Sequence, residues 1–244
     1  MRINLLFISI ILIVLIGECF THDYIDKDQA ELWSNNLRII SWILMGIWFY
    51  QLQKGIFEFR QWLFLFSIVL PVVVSLISFL LPEPIAIIVN ICINTFIFLI
   101  WIYYFHSMGA KISFRDSDNN FQKIIPAFLI FPLLFYFFSL YEALSGVYSI
   151  IVFIYTVIFS YTGILTVFLP VSDERRLYII LGLSLLVVAN ILNAYHTFLE
   201  RLFWAYPVIR AITVASKCMF IYGIADFKVK KELSFNQNIT NVEI

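Results

Sequence analysis

Apolar runs long enough to cross a bilayer, separated by short polar breaks, account for almost the whole chain. A membrane-spanning helix needs about 20 predominantly apolar residues, somewhat fewer where aromatic or basic residues flank it. By that measure the first run covers residues 3–20 and the second 37–51, the latter short and Trp-rich with Trp42 and Trp48. The third covers 62–81 and contains Pro71; the fourth covers 85–105, the fifth 124–140 and the sixth 147–171. The seventh and eighth form a pair, LYIILGLSLLVVANILNAYHTFLE from Leu177 and FWAYPVIRAITVASKCMFIYGIAD from Phe203. Leu81-Pro82-Glu83-Pro84 predicts a tight turn between the third and fourth runs, because each proline fixes φ and disfavours helix in the residue before it. Open backbone cannot face lipid, so the runs predict helices throughout. The expectation is an all-α fold, a polytopic transmembrane bundle of eight spans over residues 1–227. Residues 228–244 read as a polar, disordered tail.

Composition agrees with this pattern. Of 244 residues, 62% are apolar and 13% charged, against the roughly 25% charged of soluble domains. The 18% of aromatic residues fits lipid-facing packing and an interfacial belt. Charges balance formally, which gives no sign of a nucleic-acid partner. Cys19, Cys92 and Cys218 show neither a CxxC nor a zinc-ligand spacing and read as small buried hydrophobes.

The first run has two readings. Arg2 followed by INLLFISIILIVLIG suits an uncleaved span or a signal peptide, and cleavage would leave seven spans. A weak small-x-small site favours the uncleaved span, and Glu18 directly before Cys19 argues against a lipid-modified terminus. Basic residues alternate between the connections. Lys54, Arg60, Lys111, Arg115, Arg175 and Arg176 fall on the side of Arg2 and the tail, whereas only Lys27, Arg38 and Arg201 fall opposite. The positive-inside rule then puts both termini in the cytoplasm of a multi-pass cell-membrane protein.

A few polar residues interrupt the runs. Asn90 and Asn94 are four apart and share a helix face. Asn190, Asn193 and His196 lie in the second half of the seventh span, and Arg210 and Lys217, almost two turns apart, point the same way from the eighth. Polar groups at such depth face a protein interior or a cavity. One reading makes them a polar pocket between spans four, seven and eight, with Arg210 and Lys217 suited to an anionic group such as a phospholipid phosphate. The other makes the asparagines interhelical glue, and lets Arg210 snorkel to the interface. His196 and Glu200, one turn apart, are too few ligands for a metal site, and no cofactor is indicated. No GxSxG, HExxH, Walker or dinucleotide motif occurs. No internal repeat and no carboxylate relay speaks for a transporter.

From Gly182 the stretch GLSLLVVANILNAY, followed after a loop by FWAYPVIRAITVASKCMFIYGI, resembles the last two spans of the YhhN family of eight-span lysoplasmalogenases. Gly182 falls on the family glycine and Ala189-Asn190 on its Ser-Asp pair; NLRIISWILMGIWFY is similar to its second span. The resemblance implies hydrolysis of the vinyl ether of a lysoplasmalogen to a fatty aldehyde and a glycerophospho-base. It also implies general acid–base groups. Three departures stand against that activity. Leu70-Pro71 replaces the family Gly-Asp of the third span, Ile100 its fourth-span histidine, and Asn190 its seventh-span aspartate.

The reading that follows is a membrane protein that binds a lysolipid or similar amphiphile among its helices, with membrane lipid as its partner and hydrolysis in doubt. One alternative is a non-catalytic scaffold or accessory subunit of a membrane complex. Another is a retinal-type seven-helix protein, since Thr213–Lys217 loosely resembles the lysine segment of microbial rhodopsins. In that reading Thr213 stands where a counter-ion carboxylate is expected.

Overall fold

In the computed structural model, residues 2–24, 27–53, 57–113, 120–144 and 146–225 are described. They fold into nine α-helices: α1 (Arg2–Tyr24), α2 (Lys27–Leu52), α3 (Phe59–Val69), α4 (Pro71–Leu80), α5 (Glu83–Ser107), α6 (Ile125–Phe135), α7 (Val147–Val167), α8 (Asp173–Phe198) and α9 (Ala205–Ile224). A 3₁₀ turn, Asn120–Ile124, leads into α6, and a π-helical turn, Tyr136–Leu140, ends it. No strand occurs among the described residues.

Among the described residues, seven stretches are long and apolar enough to cross a membrane. They are α1, the α3–α4 pair, α5, the stretch Phe121–Leu140, α7, α8 and α9. The protein is therefore a multi-pass, all-helical membrane protein. The expected second span lies in α2, a helix of 26 residues. It stays outside the seven because its first half carries Lys27, Asp28, Glu31 and Arg38, which leaves an apolar segment shorter than a bilayer crossing. The acidic stretch between the first two runs is helical too, apart from residues 25–26, which lie outside the described residues with the tail 226–244.

Pro71 divides the third expected span into α3 and α4. Proline lacks the N–H that would close the preceding turn, so the helix changes at Leu70. The sixth run stops as helix at Val167, short of the expected 171.

α8 and α9 form an antiparallel hairpin whose backbones nearly touch at two glycines. A Cβ on Gly182 would lie 2.8 Å from the Ser216 carbonyl oxygen, and one on Gly223 would lie 3.0 Å from the Arg175 carbonyl. Small residues of this kind let membrane helices approach closely. Arg175 also donates from its Nη1 to the Tyr222 carbonyl at 2.9 Å. Near that closed end the core is aromatic. Trp101 stacks on Phe220 with centroids 4.3 Å apart, and Phe64 packs on Tyr104 at 4.6 Å. Towards the opposite end, where residues 199–204 join α8 to α9, the interior is polar instead.

Candidate functional site

Asn90, Asn94, Asn190, Asn193, His196, Arg210 and Lys217 all line one cavity of about 240 Å³. Its walls come from α2, α4, α5, α7, α8 and α9. The kink at Pro71 contributes Pro71, Val74 and Ser75 to one side. A second cavity of about 230 Å³ lies between α5, α7 and α8. The two share Asn90, Asn94, Tyr155, Asn190 and Asn193 as a common wall. Beyond that wall the second cavity is mostly apolar, with Ile87, Ile91, Val152, Ala194 and Phe198.

The asparagines are not equivalent. Asn94 donates its Nδ2 to the Asn90 backbone carbonyl at 2.9 Å and to the Asn90 side-chain oxygen. This pair is satisfied along α5 itself, so it does not join two helices. Asn190 differs: its Nδ2 is buried without a hydrogen-bond partner. An orphaned donor is costly in an interior, and Asn190 carries one beside both cavities that it lines. His196 accepts the Leu202 N–H at Nδ1, 2.9 Å away, which holds the 199–204 turn and places the ring proton on Nε2. Glu200 accepts from Tyr195 Oη at 3.1 Å, so it is drawn away from His196. No metal-binding cluster occurs among the described residues.

Arg210 neither snorkels nor waits for a ligand. It is 8% exposed and grips Glu18 of α1 with two parallel bonds, Nε to Oε1 at 2.6 Å and Nη2 to Oε2 at 2.9 Å. Glu18 is completely buried. Arg38 of α2 adds a bond from Nε at 3.2 Å, and Tyr206 donates its hydroxyl at 2.7 Å while accepting from Arg38 Nη2 at 2.7 Å. His22 stacks on the Tyr206 ring, 3.6 Å between centroids. Three helices are thereby joined around one carboxylate whose lone pairs are occupied. Such a fork suits guanidinium and not ammonium geometry.

Sequence reasoning missed this cluster. It used Glu18 only to judge N-terminal processing and found no carboxylate of note in the spans. The signal was present: an acidic residue inside an apolar run has a partner by default, and an arginine inside another run is the obvious one. Arg38 and Tyr206 carried no such signal.

Lys217 is the contrast. It lies twelve residues into α9, about 18 Å from its start, and is 8% exposed. No ion-pair or hydrogen-bond partner for it occurs among the described residues. Its Nζ sits 4.2 Å from the centre of the Trp101 ring, a cation–π contact at the floor of the cavity. Trp101 is fixed for that role: its Nε1 donates to Ser67 Oγ at 2.8 Å, and Ser67 Oγ in turn donates to the Phe64 carbonyl. The cavity is lined by a buried lysine and by an asparagine with an unsatisfied amide donor, and no described carboxylate lines it. No family model, curated protein or solved structure matches this chain.

Proposed function

We propose that this chain is a divergent, eight-span relative of the YhhN-type lysoplasmalogenases that binds a lysolipid or similar amphiphile within its helices. In this reading α2 is the second span and both termini are cytoplasmic. The observation that carries it is the cavity among the helices that gathers Lys217, Asn190 and the other polar residues of α5, α8 and α9.

A volume of about 240 Å³ is below the usual range for a whole drug-sized ligand, about 300–1,000 Å³. It suits a headgroup, with the chain passing the asparagine wall into the apolar second cavity. Hydrolysis is not part of this reading. Protonating a vinyl ether needs a positioned acid, and Asn190 has no exchangeable carboxyl proton where the family has an aspartate.

Filling the cavity tests the reading. The purified protein in detergent binds lysophospholipids, detected as bound mass by native mass spectrometry. Asn193→Trp, which puts an indole into the shared wall, abolishes the bound species. If the wild type retained no lysolipid of any headgroup, or the tryptophan variant retained it unchanged, the cavity would not be the amphiphile site. A stoichiometric protein partner in place of bound lipid would then favour the accessory-subunit reading.

A further inference from the structure

We infer that the cavity selects an anionic headgroup that carries no ammonium, a phosphate ester of an uncharged alcohol, and rejects the zwitterionic choline and ethanolamine heads. The inference rests on the amphiphile reading above and narrows it. It departs from the glycerophospho-base that the family resemblance implies.

Charge balance in the cavity is the first reason. Arg38, Arg210 and Lys217 line it, and no described aspartate or glutamate lines either chamber. Glu18 is the one buried carboxylate nearby among the described residues, and its oxygens already take bonds from Arg210, Arg38 and Tyr206. Two guanidiniums therefore share one carboxylate, while Lys217 has no counter-charge among the described residues. A phosphate or phosphodiester in the cavity would supply that charge at Lys217.

The aromatic residues give the second reason. Quaternary ammonium groups are recognised by the open faces of aromatic rings. Here those faces are already taken by cations. Arg210 lies over Trp42 at 5.6 Å, Arg38 over Tyr206 at 5.4 Å and Lys217 over Trp101 at 4.2 Å. Of the other lining rings, Tyr155 stacks on Phe159, and Phe98 packs against Trp101 and Tyr155. A choline or ethanolamine head would thus bring a cation into a cavity lined by no described carboxylate, beside three like charges and next to rings that already carry cations.

The test compares lysophosphatidylglycerol with lysophosphatidylcholine of the same acyl chain, titrated onto the full-length protein in a nonionic detergent. The glycerol head binds tighter by on the order of tenfold, the ratio one lost charge-assisted bond produces. Lys217→Gln removes the preference and Lys217→Arg keeps it. Equal affinity for the two lysolipids in the wild type would overturn headgroup selection while leaving the amphiphile reading intact. So would a persistent preference in a folded Lys217→Gln protein. Glycerol phosphate and inorganic phosphate form the third arm. If either displaced the lysolipid at equal concentration, the anion site would stand with a soluble anion as its ligand, and the amphiphile reading would fall.

Discussion

Arg210 and Lys217 project from the same side of α9 seven residues apart, yet they sit in opposite circumstances. Around Arg210 the structure is closed. Arg210, a carboxylate from α1, a second guanidinium from α2 and a phenol from α9 hydrogen-bond with one another before any ligand arrives. Around Lys217 it is open. The ammonium rests on an indole at the edge of a void that Asn190 also lines. The same kind of residue, on the same stripe, joins helices in one place and leaves a binding capacity in the other. What separates them is whether another helix delivers a carboxylate.

The largest effect should come from opening the closed region. Glu18→Ala leaves the buried Arg210 and the partly buried Arg38 without a counter-charge, which costs about 3–5 kcal/mol. Thermal unfolding in detergent should show a large drop in midpoint. Glu18→Leu combined with Arg210→Met should recover much of it, since an apolar pair replaces a buried ion pair at little cost. A double variant no better than the single would mean that the cluster is not a simple pair. The same cluster makes α1 part of the bundle, so the purified protein should have the mass of a chain that retains Glu18.

Somewhat smaller is the effect of removing the floor. Trp101→Ala takes away the ring under Lys217 and the stack on Phe220, and should cost about 3 kcal/mol by the same assay. Next comes the hairpin. Gly182→Leu drives a side chain into the α9 backbone and should cost about 1–3 kcal/mol. It should also weaken lysolipid binding, because it shifts Lys217 relative to Asn190. Retained binding at reduced stability would show that the cavity tolerates the displacement.

The smallest effect on stability belongs to the open region. Lys217→Met removes a buried charge that no protein group neutralises, so stability should change by no more than about 1 kcal/mol, in the stabilising direction. Binding of an anionic lysolipid should nevertheless fall. A loss as large as that of Glu18→Ala would place Lys217 with the structural ions and erase the contrast.

Much of the architecture was legible in advance. Apolar length predicts the helices, Pro82 and Pro84 predict the turn before α5 whereas the break at Pro71 was not expected, and the asparagine, histidine and lysine positions read from helical spacing do meet in one cavity. Gly182 was readable as a special position, but the sequence alone offered only a resemblance as its reason. The structure supplies the physical one, a backbone contact at 2.8 Å. Arg210 lines the cavity as expected, but its carboxylate partner, 192 residues away, was not foreseen. Tyr206 was placed close to the Arg210–Lys217 stripe without a partner, and Arg38 was passed over because it is not unusual near a helix end.

The sequence by itself determined that the chain is helical and crosses a membrane. The cost of exposing backbone to lipid is local, and apolar length answers it locally. Which polar residues are satisfied and which remain available was decided only by the tertiary structure. Pairing is a question of distance between helices, and helix spacing within one run says nothing about what the next one brings to it.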